Sequence, residues 1–136
     1  MSNLLKKEKG FTLIEIVLVL AIAGLLLVIV FLAVSGAQKS RRDSQRKNDN
    51  ARLMAQIEAF AGNNNGNYPQ TTNDLTPYLP TNFTDPSNGQ AYNVSVGALP
   101  TCAWTGGPAN ITVSVNGRIA TSRICLEQGF QDLTNN

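Results

Sequence analysis

The side chains able to do chemistry in this sequence are few and unevenly placed. Its 136 residues include no histidine, two cysteines (Cys102 and Cys125), nine carboxylates and eleven Lys or Arg. Without His, no Ser–His or Cys–His nucleophile pair and no His-ligated metal site can be assembled. Two cysteines do not make a four-thiolate zinc site. Composition therefore argues against an enzyme and calls for no cofactor and no metal. One carboxylate stands apart from the rest. Glu15 sits at the edge of a long apolar run, where an acid is costly unless a cation meets it. If the chain were cut between Gly10 and Phe11, Phe11 would carry a free amino terminus four residues before Glu15. The competing reading is an interfacial Glu whose carboxylate reaches water.

The element that must position Glu15 is the run itself. Residues 16–34, IVLVLAIAGLLLVIVFLAV, contain no polar side chain, and 19 residues in a helix suffice to cross a hydrocarbon core of roughly 30 Å. The formal net charge of +2 resides in the first ten residues, where Lys6, Lys7 and Lys9 face only Glu8. The remainder is formally neutral. Charged residues make up 15% of the chain, low against the roughly 25% of a soluble domain.

Lys9-Gly10-Phe11-Thr12-Leu13-Ile14-Glu15, followed by the apolar run, resembles the class III signal of type IV pilins and pseudopilins. The resemblance implies that a prepilin peptidase cleaves after Gly10 on the cytoplasmic side and methylates the new amino terminus at Phe11. It also implies that Glu15 pairs with the N-terminal amine of a neighbouring subunit during assembly. The partners it implies are copies of the same chain in a helical filament, the peptidase, an assembly platform with its ATPase, minor pilins, and membrane lipid before assembly. The localisation implied is the cytoplasmic membrane as a single-pass precursor, then a surface filament.

Two readings compete with it. Ser35-Gly36-Ala37 has the small residues of an ordinary signal-peptidase site, which would release a soluble binding domain, but the apolar core of such signals is shorter, about 7–15 residues. A positive-inside count also runs the other way. Lys39, Arg41, Arg42, Arg46 and Lys47 outnumber the leader lysines, which favours a cytoplasmic C-terminal side; the resemblance implies the opposite.

Residues 38–50, QKSRRDSQRKNDN, have no apolar side chain. As a helix they read as a solvated stalk laced by pairs three or four apart: Lys39–Asp43, Asp43–Lys47, Arg46–Asp49 and Asp49–Arg52. The basic surplus over 39–52 is enough to touch nucleic-acid phosphates, but no aromatic interleaving or binding module accompanies it. Beyond it, Leu53, Met54, Ile57, Phe60 and Ala61 form a stripe at helical spacing, suited to packing on a body. Gly62 and the Asn63-Asn64-Asn65-Gly66 run end the helix. One helix from near Phe11 to Ala61, about 75 Å long, is expected.

The stretch 42–69 resembles the helix end and Asn/Gly-rich turn into Tyr-Pro of bacterial pilins, and 84–92 their entry into the sheet. One departure is that the apolar run contains no proline; Gly24 is its only helix breaker.

In the C-terminal part, Tyr92, Val94 and Val96 alternate with polar residues, as do Ile111, Val113 and Val115, reading as half-buried strands. Asn116-Gly117 predicts a hairpin pairing 111–115 antiparallel with 118–126. Residues 68–86 carry four of the six prolines and read as an ordered surface loop. Outside the cytoplasm Cys102 and Cys125 would join, worth roughly 3 kcal/mol by chain entropy; otherwise they are two buried thiols. In many pilins such a pair brackets a surface loop, which the resemblance would place at 103–124, containing Trp104. Asn82, Asn93 and Asn110 fit the N-glycosylation pattern. Asp74, Asp85 and Asp132 lack EF-hand spacing for calcium.

The expected fold class is α+β and pilin-like: a long N-terminal helix packed on a small antiparallel sheet. Its divisions are a leader (1–10), an apolar membrane or assembly helix (11–37), a polar then amphipathic continuation (38–61) and a β-rich body (62–136). The expected function is a filament subunit for adhesion, motility or DNA uptake, or alternatively a pseudopilin of a secretion or competence machine.

Overall fold

The computed structural model describes residues 10–135. Helix α1 spans Leu13–Asn63, followed by the short α2 (Thr72–Leu75) and one 3₁₀ turn at Thr76–Tyr78. Four strands follow: β1 (Asn93–Val96), β2 (Asn110–Asn116), β3 (Ile119–Leu126) and β4 (Gly129–Thr134). They form one sheet in the order β1-β2-β3-β4. The chain divides into two compact units, Met1–Ala37 and Gln38–Asn136.

In the first unit, the described residues from Leu13 onward are the start of α1. Large apolar side chains from Phe11 to Val34 are all exposed, from 47% at Val34 to 85% at Phe11. The helix is long and apolar enough to cross a membrane.

In the second unit the C-terminal part of α1 lies on the sheet. Leu53, Met54, Ile57 and Ala61 are buried, as the apolar spacing predicts, while Phe60 is half-buried and meets the Tyr78 ring edge-on at 5.2 Å. Facing them on β3 are Ala120, Ser122, Ile124 and Leu126, the alternate residues that period-two geometry puts on one face. Ile111 and Val113 of β2, with Leu75, Phe83, Tyr92 and Ala109, complete the core. Full burial of each Leu or Ile contributes about 1.5–3 kcal/mol. The helix stops where Asn65 turns left-handed (φ 56°) and Gly66 N–H reaches back to Ala61 O at 2.7 Å, the six-to-one bond of a Schellman end.

The hairpin sits where Asn-Gly predicts it. Ile111 opposes Ile124 and Asn116 opposes Ile119, so the two turn residues are Gly117 and Arg118. Gly117 takes φ 63°, so glycine is the first turn residue rather than the second, as in a type II′ turn.

Two local expectations are corrected. The sheet is mixed, because β1 pairs parallel with β2; the segment 97–109 between them is long enough for the crossover that parallel pairing demands. The cysteine-bracketed stretch 103–124 is no surface loop. It contains all of β2 and most of β3, the centre of the sheet, and only 103–109 and the turn residues 117–118 lie outside strands. The disulfide joins Cys102, just before that segment, to Cys125 on β3 across a Cα–Cα distance of 5.3 Å.

Candidate functional site

Gly10 and Phe11 lie in irregular, exposed backbone just ahead of α1, and no heavy atom outside its own neighbours comes within 4 Å of a side chain added at Gly10. The leader lysines Lys6, Lys7 and Lys9 fall outside the described residues. The helix start is built by Thr12 and Glu15. Thr12 N–H and Thr12 Oγ1 each donate to Glu15 Oε2 at 2.8 Å, and Glu15 N–H turns back to Thr12 Oγ1 at 3.4 Å. This reciprocal pattern is a capping box, which satisfies donors that a helix start leaves open. Glu15 therefore has a local partner at the edge of the apolar run, a role the charge argument alone misses. The Thr-x-x-Glu spacing carries that signal.

The second cluster is built from the polar stretch itself, inside the body, and corrects the solvated-stalk expectation. Asp43, Arg46, Asp49 and Asn50 are buried, and Arg46 has no exposed surface. Its guanidinium forks onto Asp85, Nε to Oδ2 at 2.9 Å and Nη2 to Oδ1 at 2.8 Å. Nη1 donates to Asp43 Oδ1 at 2.8 Å and Glu127 Oε1 at 3.0 Å. The Trp104 ring closes the site, its centroid 4.3 Å from Arg46 Cζ, within cation–π range. Arg42 forks onto Glu127 through Nε (2.7 Å) and Nη2 (3.0 Å).

Two of the acids are held by backbone as well. Asp43 accepts the amides of Glu127 and Gln128, so it pins the β3–β4 turn to α1. Asp85 accepts Ser87 N–H, Ser87 Oγ–H and Ala109 N–H. Burial pushes the Asp85 carboxyl up, but the bonds from Arg46, Ser87 and Ala109 prevail and hold it at about 2. The Arg42 fork, against the opposing effect of burial and aided by Arg46, brings Glu127 down to about 2. Burial lowers Arg46, yet its three carboxylate partners leave it raised. Nearby, Tyr92 O–H donates to Asp49 Oδ2 at 2.9 Å, and burial together with that acid raises the phenol.

Of the four pairs expected from helical spacing, Asp49–Arg52 forms, at 3.2 Å. Asp43 and Arg46, also three apart, pair instead of the combinations with Lys39 and Lys47. The three acids without EF-hand spacing go to separate tasks: Asp85 to Arg46, Asp74 to the cap of α2 with Thr71, and Asp132 to Arg123 at 2.7 Å. The arrangement around Arg46 is a structural clamp, with every strong donor and acceptor already engaged.

Residues 5–31 match the prokaryotic N-terminal methylation motif. This is the class III signal peptide of type IV pilins and pseudopilins. The match covers both residues of the expected cut, Gly10 and Phe11, together with Glu15 and most of the apolar run. It supports a pilin-like precursor and implies peptidase processing and filament assembly in general. The exposed apolar helix beside it is consistent with membrane anchoring. No curated protein and no solved structure gives a significant match to the chain.

Proposed function

We propose that the chain is the prepilin of a type IV pilus-like filament. It enters the cytoplasmic membrane through its apolar helix, loses residues 1–10 to prepilin peptidase, and is N-methylated at Phe11. Residues 11–136 then polymerise, with apolar helices in the filament core and bodies on the surface. The chain is a substrate and a building block, not an enzyme, and it acts with an assembly platform, its ATPase and minor pilins. The filament serves adhesion, motility or DNA uptake.

One observation carries this reading: a methylation signal at 5–31 runs directly into a helix whose large apolar side chains are exposed. Such a surface is stable in lipid or against copies of itself, and not in water. Glu15 then has two successive tasks. In the precursor its Oε2 closes the helix cap with Thr12; in the filament the carboxylate meets a neighbour's Phe11 amine, where a paired buried charge fixes register.

The test is electron microscopy of cells producing the wild-type chain or Glu15→Ala. Wild type gives fibres that react with antibody to residues 62–136; Glu15→Ala inserts in the membrane but gives none. Normal fibres from Glu15→Ala would remove that residue from the mechanism. Absence of wild-type fibres, with a secretion or transformation defect on deletion, would turn the reading to a pseudopilin.

A further inference from the structure

Three Asn-Gly pairs occur in the chain: Asn65-Gly66, Asn88-Gly89 and Asn116-Gly117. The pairing has its own chemistry. Glycine has no Cβ to hold its backbone nitrogen away from Cγ of the preceding side chain, so that nitrogen can close a cyclic imide there. All three asparagines are exposed, and sequence alone does not rank them. The fold does, through the bond each glycine N–H already makes.

Gly66 N–H donates to Ala61 O at 2.7 Å, the bond that ends α1. Arg118 Nη2 lies 3.2 Å from where a Cβ on Gly66 would stand, so this backbone is crowded as well. Gly89 N–H donates to Asp85 O at 2.8 Å, and Asp85 is anchored in the clamp by Arg46. The Asn88 side chain is also engaged: Oδ1 accepts Gln90 N–H at 3.0 Å, and Nδ2 donates to Gln90 Oε1 at 3.3 Å. Gly117 differs. Its N–H has no acceptor among the described residues, it is exposed, and the space where its Cβ would stand is open. Asn116 opposes Ile119 in the last rung before the turn. The end of a hairpin opens at lower cost than a bonded helix end or a turn tied to a buried centre.

We infer that Asn116 is a site of self-modification, where the folded chain converts a side-chain amide to a carboxylate without an enzyme. Gly117 N gives its proton to hydroxide and adds to Asn116 Cγ. The new C–N bond forms as the Cγ–Nδ2 bond breaks, and Nδ2 takes a proton from water and leaves as ammonia. A second water opens the cyclic imide at either carbonyl, leaving an aspartyl residue joined to Gly117 through its α- or its β-carboxyl. No oxidant or reductant takes part. Each conversion adds one negative charge two positions from Arg118, at an exposed turn. The chain from Phe11 onward is formally neutral, so it becomes acidic as a copy ages. None of this depends on filament assembly.

The experiment follows the full chain in detergent at neutral pH, in water labelled with heavy oxygen, by peptide mapping in a mass spectrometer. One labelled oxygen enters at each imide that opens, which separates conversion in the intact chain from conversion during digestion in ordinary water. The expected result is that Asn116 converts faster than Asn65 and Asn88 by roughly two- to ten-fold, the factor that one retained backbone hydrogen bond supplies. In urea, where all three turns are open, the rates converge. Equal rates in the folded chain overturn the proposal, as does a faster Asn65 or Asn88. Conversion of Asn116 seen only in urea overturns it too. So does an advantage of Asn116 that persists undiminished in urea, because the fold would then not be its cause.

Discussion

Replacing Arg46 with Met removes the guanidinium and keeps most of the side-chain length. Asp85 loses both arms of its fork, Asp43 loses its ionic partner, and Trp104 loses the cation over its face. Breaking a buried ion pair from one side costs about 3–5 kcal/mol, because a charge remains inside without compensation. Here Asp85 keeps three donors, from Ser87 and Ala109, and Asp43 keeps two turn amides, which places the loss near the lower end. The lost cation–π contact adds about 0.5–2 kcal/mol. A total of about 4 kcal/mol is a large share of the 5–15 kcal/mol typical of a domain, and should lower Tm by roughly 15–25 °C. Trp104 is the sole tryptophan and reports unfolding from inside the site, so its fluorescence during urea titration of the full chain in detergent is the assay. The midpoint should fall with an unchanged slope, and adding Asp85→Asn should recover part of the loss by removing the stranded charge. The partly exposed pair Arg123–Asp132 serves as reference: Arg123→Gln should cost about 1 kcal/mol. A loss below about 1 kcal/mol for Arg46→Met would refute the clamp.

Reducing the Cys102–Cys125 bond, which closes a separation of 23 residues, should destabilise the body by roughly 3 kcal/mol in the chain-entropy model; urea midpoints with and without reductant check this. Asp85 and Glu127 both sit near 2 in the folded chain, below their ordinary values of 3.8 and 4.5. Their contribution to stability is complete above about pH 4.5 and is lost as pH falls through 2, since the unfolded chain binds more protons in that window. Thermal unfolding between pH 5 and 2 should show Tm falling with acid, and the fall should be shallower in Glu127→Gln.

What could be read from the sequence was whatever depends on near neighbours. The apolar run is continuous, the Gly10-to-Glu15 motif is contiguous, and Asn116-Gly117 marks its own turn, so all three are legible by spacing. The Thr12–Glu15 cap is of the same kind, three residues apart, with the Thr-x-x-Glu spacing as its signal. The clamp is different. Arg46 meets Asp85 across 39 positions and Glu127 across 81, and helical spacing offers closer partners in Asp43 and Asp49. A pairing rule based on near neighbours finds solvated salt bridges there, while the fold finds a buried centre. The parallel pairing of β1 was hidden for a related reason: alternation identifies a strand but says nothing of its direction.

The sharpest test of the whole account is mass spectrometry of the N-terminal peptide from chain purified out of its native membrane. Processing after Gly10 predicts a chain that begins at Phe11 and carries one added methyl group on its amine. A chain that retains Lys6, Lys7 and Lys9, or one that begins after Ala37 and lacks the apolar helix, would contradict it.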